Sequence, residues 1–104
     1  MKDYSAMSDF EINLLVNRSL GLKHYPNEEK KVIEVFGEIV IFDPCNNPAD
    51  AWPIILENKI NIDHRSGFKN PMAKSCTDNS LYATHHNVLR AAMTVYLQMM
   101  EGKL

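Results

Sequence analysis

Cys45 stands in the run DPCNNPADAWPII, residues 43–55, where three prolines, one of the two cysteines and the single tryptophan fall within thirteen positions. Just ahead of a helix N-terminus, a cysteine meets backbone amides and a dipole that favour its thiolate. His64, His85 or His86 could act as its base, so a nucleophilic cysteine is the sharpest chemistry the chain offers. Against it, Asp43 and Asp50 flank the thiol and oppose ionisation. A small apolar cysteine filling a strand-to-helix corner explains the residue without chemistry.

Other constellations are weaker. A metal site could be assembled from His64, His85, His86, Cys45 and Cys76, but they form no C-x-x-C or H-x-x-x-H spacing, so no metal or other cofactor is expected. Gly21, Gly37, Gly67 and Gly102 are scattered and make no phosphate loop. Asp43 and Asp50 could pair as general acid and base, but strand-end and capping roles account for both. No catalytic residue is assigned, and the chain reads as a non-enzyme. Lys59, Arg65, Lys69 and Lys74 interleave with Phe68 and Tyr82, a pattern suited to a single-strand platform. Trp52 reads first as a core anchor. If partly exposed beside Pro48 and Pro53, it becomes a hot-spot residue.

The charge distribution bears on partners. Net charge is −2 with a pI near 6.0, which argues against a whole-domain nucleic-acid footprint. The sum hides an asymmetry: residues 1–58 hold five Lys or Arg against ten Asp or Glu, whereas residues 59–90 hold five against two. The 104 residues suit one domain, 1–104. Its longest apolar run, Ile39–Phe42, is far short of the roughly 20 residues that span a bilayer. No signal core precedes the first helix, so a soluble cytosolic protein with reduced thiols is expected.

The elements follow from local signals. Ser8-Asp9-Phe10-Glu11 is a capping box, and a helix over about residues 9–20 should end at Gly21. KVIEVFGEIVIF alternates and then runs apolar, predicting a β-hairpin that turns at Gly37. Asp43-Pro44 ends the strand, Asn47 caps a second helix and Pro48 opens it. Pro53 predicts a tight turn over about 48–51 leading into the helix proper, with Trp52, Ile55 and Leu56 facing the core. Lys59–Asp63 is a strand with Ile60 and Ile62 inward. Residues 65–85 show no period and read as a long loop.

From Val88 to Glu101 the polar residues fall only at Arg90, Thr94, Gln98 and Glu101, leaving a helix apolar over most of its circumference. A domain this small hardly surrounds such a helix, which favours a homodimer through residues 88–101, set against a simply well-buried helix. The fold class is α+β. A small antiparallel sheet of about three strands, hairpin included, packs against about three helices in the order α-β-β-α-β-α.

YSAMSDFEINLLVNRSLGL, FDPCNNPADAWPIILENKI and NVLRAAMTVYLQMM, in that order, resemble the NinX-like family of bacteriophage and prophage proteins. The resemblance covers most of the chain, apart from the first hairpin strand and residues 65–83. It implies a small phage- or prophage-encoded protein acting in the bacterial cytosol. The family is one of unknown function, so it carries over no catalytic or binding residue. Val88 departs from the proline expected of the family at that position.

The leading expectation is a non-enzymatic accessory protein that binds a host or phage protein. Cys45, Asn46, Asn47, Asp50 and Trp52 are candidate contacts in the corner, and Arg65, Lys69 and Lys74 in the basic segment. The alternatives are a nucleic-acid accessory factor using residues 59–74 and a cysteine-dependent enzyme at Cys45.

Overall fold

In the computed structural model, residues 3–35 and 41–101 are described. A 3-10 turn at Tyr4–Ala6 leads into helix α1 (Asp9–Ser19). Strands β1 (Tyr25–Asn27) and β2 (Val32–Glu34) follow, then helix α2 (Pro48–Glu57), strands β3 (Ile60–Asp63), β4 (Met72–Ser75) and β5 (Tyr82–Thr84), and helix α3 (Val88–Glu101). The class is α+β, with two small antiparallel sheets, β1-β2 and β3-β4-β5.

Helix α1 forms as its ends dictate. Ser8 Oγ accepts the Glu11 amide while the Glu11 carboxylate accepts the Ser8 amide, closing the capping box. At the other end Gly21 adopts φ 69°, its amide reaches Arg18 O and the Leu22 amide reaches Asn17 O. This Schellman arrangement satisfies carbonyls that α1 would otherwise leave open.

The first hairpin is displaced from its expected place. Pro26 faces Ile33 across β1 and β2, and the turn runs through residues 28–31, where Asn27 Oδ1 accepts the Lys30 amide. The polar stretch around Pro26 is therefore a strand, tolerated because proline sits on a sheet edge. The chain also returns along the other side of β2: Glu34 bridges Ile41, and the Phe42 amide donates to Ile33 O at 2.8 Å. The expected turn at Gly37 lies outside the described residues.

Residues 65–85 are not one loop. β4 pairs with β3 in the register Ile60↔Ser75 to Asp63↔Met72, and β5 pairs with β4 in the register Met72↔Thr84 to Lys74↔Tyr82. The polar run Thr77–Ser80 is the turn between them, with Ser75 Oγ accepting the Thr77 and Asp78 amides and Asp78 Oδ1 accepting that of Ser80. No period was legible because the inward residues are Ala73, Ser75 and Ala83, small enough for the sheet to approach α3 closely.

Helix α3 is the centre of the fold. Ala91, Ala92, Met93, Val95, Tyr96 and Leu97 are buried, and α1, α2 and all three strands β3–β5 pack on the helix. No residue of α3 is exposed. One chain does surround its apolar helix, so the packing premise of the expected dimer is corrected. Ile12, Val16, Ile33, Ile54, Ile55 and Ile60 complete the core from the surrounding elements. Each such side chain contributes about 1.5–3 kcal/mol on burial.

Candidate functional site

The corner at residues 43–47 is held by a polar network that reaches three helices. Asn13, buried on α1, donates to Asp43 Oδ1 at 2.7 Å and accepts the Cys45 amide at 3.1 Å. Asp43 in turn donates its amide to Asp50 Oδ2 at 2.9 Å. The Asn46 side-chain amide bridges the carboxylates of Asp9 and Asp43. Asn87 donates to Cys45 O at 2.7 Å and to Asn46 Oδ1 at 3.0 Å. Its Oδ1 accepts the amides of Leu89 and Arg90, which caps α3. A side-chain cap of this kind starts the helix without a proline at position 88.

Arg90 ties the network to the N-terminal turn. Its guanidinium lies 2.6 Å from Asp9 Oδ1 and donates to the carbonyls of Tyr4 and Met7. Partial burial of Asp9 works against its charge, but hydrogen bonds from Arg90 and Asn46 outweigh it and hold the carboxyl below its ordinary range. Burial and the nearby charges of His86 and Arg90 lower the pKa of His85, and its Nδ1 accepts the Asn87 amide. Neutral His85 therefore carries its proton on Nε2.

This environment argues against nucleophilic chemistry at Cys45. The residue is wholly buried, its Sγ lies 3.9 Å from Asp9 O, and desolvation, with the Asp9 carboxylate second, pushes the thiol well above its usual range. Cys76 is exposed and both thiols are free. Among the described residues, no group of three or more His, Cys, Asp or Glu side chains is placed to share an ion.

Asn47 and Asp50, candidate contacts by sequence, have structural roles. Asn47 Oδ1 accepts the Ala49 amide at the start of α2. Helix α2 is continuous through Pro53, with no break at 51. Burial of Ala51, Ile54 and Ile55 holds it against α3, while Pro53 stays on the exposed side. The apolar stripe is thus rotated by one residue from the expected 52-55-56. Ile55 is buried as expected, but Trp52 is 53% exposed and Leu56 58% exposed. The small Ala51 permits close approach to α3 where the larger Trp52 would not.

Trp52 and Leu56 lie one turn apart and share a surface with Pro48. On the adjoining face, Pro53 and Ile54 line a cleft of about 540 Å3 between α2 and the C-terminal ends of α1 and α3, with Leu20, Leu22, Phe42 and Met100. A second surface is the outer face of β3-β4-β5, where Asn61, Lys74 and Tyr82 are aligned across the strands. Lys69 is exposed in the β3–β4 connection. In the same connection, Arg65 lies over the Phe68 ring at 4.3 Å and donates to Asn70 O.

The features missed from sequence are Asn13, Asn87 and the Asp9–Arg90 pair. An asparagine amid the apolar positions of α1, and another just before α3, were signals of the first two. Nothing local marks the pair.

The fold and these surfaces define a small α+β domain wrapped on one central helix, with an exposed aromatic helix face and an open sheet face. The family model described as "Bacteriophage P22, NinX" matches residues 3–100, and the chain belongs to that family. Neither a curated protein nor a solved structure matches it. Among the described residues, no helix is long and apolar enough to cross a membrane.

Proposed function

We propose that this is a phage- or prophage-encoded accessory protein that works in the bacterial cytosol by binding a host or phage protein, without catalysis, and that α2 supplies the contact. The observation that carries this reading is the exposure of Trp52 and Leu56 together on α2. A tryptophan left in water on a rigid helix is the residue type that dominates binding energy at interfaces. The 43–47 network fixes the start of α2, so the pair is presented on a preorganised element. That rigidity lowers the ordering cost of association. The adjacent cleft offers room for an apolar side chain of the partner.

The test is affinity capture from nuclease-treated bacterial lysate with wild-type protein and with Trp52→Ala and Leu56→Ala. A protein retained by wild type and lost with both variants supports the reading. Capture unaffected by either variant rejects α2 as the contact.

A further inference from the structure

We infer that the outer face of β3-β4-β5, with the β3–β4 connection, binds single-stranded nucleic acid. The inward residues Ile60, Ala73 and Ser75 are buried, so the pleat sends Asn61, Asp63, Met72, Lys74, Tyr82 and Thr84 to the opposite face. Asn61, Asp63, Tyr82 and Thr84 on that face are exposed. Tyr82 is 53% exposed directly across from Lys74, and Phe68 is 66% exposed at the β3–β4 connection.

Charge chooses the occupant. Residues 59–75 carry Lys59, Arg65, Lys69 and Lys74 against the single carboxylate Asp63, in a chain whose net charge is −2. Among the described residues none of these four cations is ion-paired, and Asp63 Oδ1 is engaged by the Arg65 amide. Unpaired cations flanking exposed aromatic rings are what a phosphate backbone with unstacked bases requires. An acidic peptide would use the cations but has no need of the rings.

The platform is also preorganised. Arg65 has φ 50° and Gly67 φ 86°, and the Phe68 amide donates to Arg65 O, forming a tight turn. The guanidinium, held by Asn70 O, lies over the Phe68 ring at 4.3 Å. One ring face is thus occupied and the other is left for a base. Tyr82 is held in the ladder, where Gln98 Nε2 donates to its carbonyl. The platform uses neither Trp52 nor Leu56, so this proposal and the protein-binding reading are tested by different variants.

Fluorescence anisotropy with a labelled oligothymidine of about 15 nucleotides, and with a duplex of the same length, tests it. The expected result is saturable single-strand binding, with the duplex bound less tightly. The log affinity should fall with log salt at a slope of about −0.7 per phosphate neutralised, near −3 for four cations. Tyr82→Ala and Phe68→Ala should each weaken binding at least about fivefold, and Lys74→Gln should make the salt slope shallower. Trp52→Ala should leave all of this unchanged. Phe68 lies in a connection, so its variant remains informative even if Tyr82→Ala disturbs β5. Absence of saturable binding, equal duplex binding, or binding that survives both aromatic variants would overturn the inference. So would a captured protein that is lost with Tyr82→Ala and Phe68→Ala, since it would assign this face to a protein partner.

Discussion

The Arg90 guanidinium sits 2.6 Å from Asp9 Oδ1, joining the first turn of α3 to the first turn of α1 across 81 positions of chain. Arg90 is 7% exposed at its side chain and Asp9 42%. The cation is therefore enclosed, whereas its partner remains partly in water. The guanidinium also donates to two backbone carbonyls, those of Tyr4 and Met7, so it fastens the N-terminal turn as well.

Replacing Arg90 should be among the most damaging single changes. Arg90→Met leaves the Tyr4 and Met7 carbonyls and Asp9 Oδ1 without the guanidinium donor, while Asp9 Oδ2 keeps Asn46. Removing one member of a fully buried pair destabilises by about 3–5 kcal/mol, and water at Asp9 reduces this to about 2–3 kcal/mol. Urea unfolding followed by far-UV circular dichroism measures it, and a change below about 0.5 kcal/mol, the range of neutral surface substitutions, would contradict the role.

The same pair sets a pH dependence. The folded pKa of Asp9 is depressed, so its contribution is fully present above the ordinary carboxylate value of about 3.9. It is lost as pH falls through the lower folded value. Stability should therefore decline through that acid window. Asp9→Asn should be less stable at neutral pH and show a shallower acid decline; parallel denaturation curves at several pH values compare the two.

Cys45 and Cys76 should differ sharply in reactivity. In the native protein, iodoacetamide should modify Cys76 and spare Cys45, which becomes accessible only on unfolding. Peptide mass spectrometry after timed labelling reads both sites at once. Faster labelling of Cys45 would reopen cysteine chemistry there.

Neighbouring positions of α2 should separate binding from stability. Trp52→Ala and Leu56→Ala remove exposed groups and should alter stability by about 0.5 kcal/mol or less. Ile55→Ala empties a buried site and should cost about 2–5 kcal/mol. Thermal unfolding of the three variants makes the comparison.

The corner network offers a final check. Asn13→Ala deprives the Cys45 amide of its acceptor and Asp43 of a donor in a buried setting. An unsatisfied buried group of this kind costs about 1–3 kcal/mol. Hydrogen exchange should accelerate at the Cys45 amide if Asn13 protects it.

Local chemistry was legible wherever it is decided within a few residues. Ser8 and Glu11 start α1, Gly21 stops it, and Asn47 with Pro48 opens α2, all from side chains bonding to nearby backbone or from the φ that glycine and proline permit. The α+β class and the apolar character of α3 were likewise written in the chain. Which face of α2 turns inward was not. Trp52-Ile55-Leu56 and Ala51-Ile54-Ile55 have the same helical spacing, and the choice between them rests on how closely α3 can approach. The strands β4 and β5 were hidden for a related reason, since a helix packed tightly on a sheet selects alanine and serine, which carry little hydrophobic signal.

By itself, then, the sequence determined the helix ends, the fold class, the charge asymmetry and the segments rich in candidate groups, because those depend on local bonding and composition. Only the tertiary structure decided that Cys45 is buried and Trp52 exposed, that Asp9 meets Arg90, and that Lys74 stands beside Tyr82. Each is a relation between segments far apart in the chain, fixed by how the elements pack around α3 rather than by any preference of the residues alone.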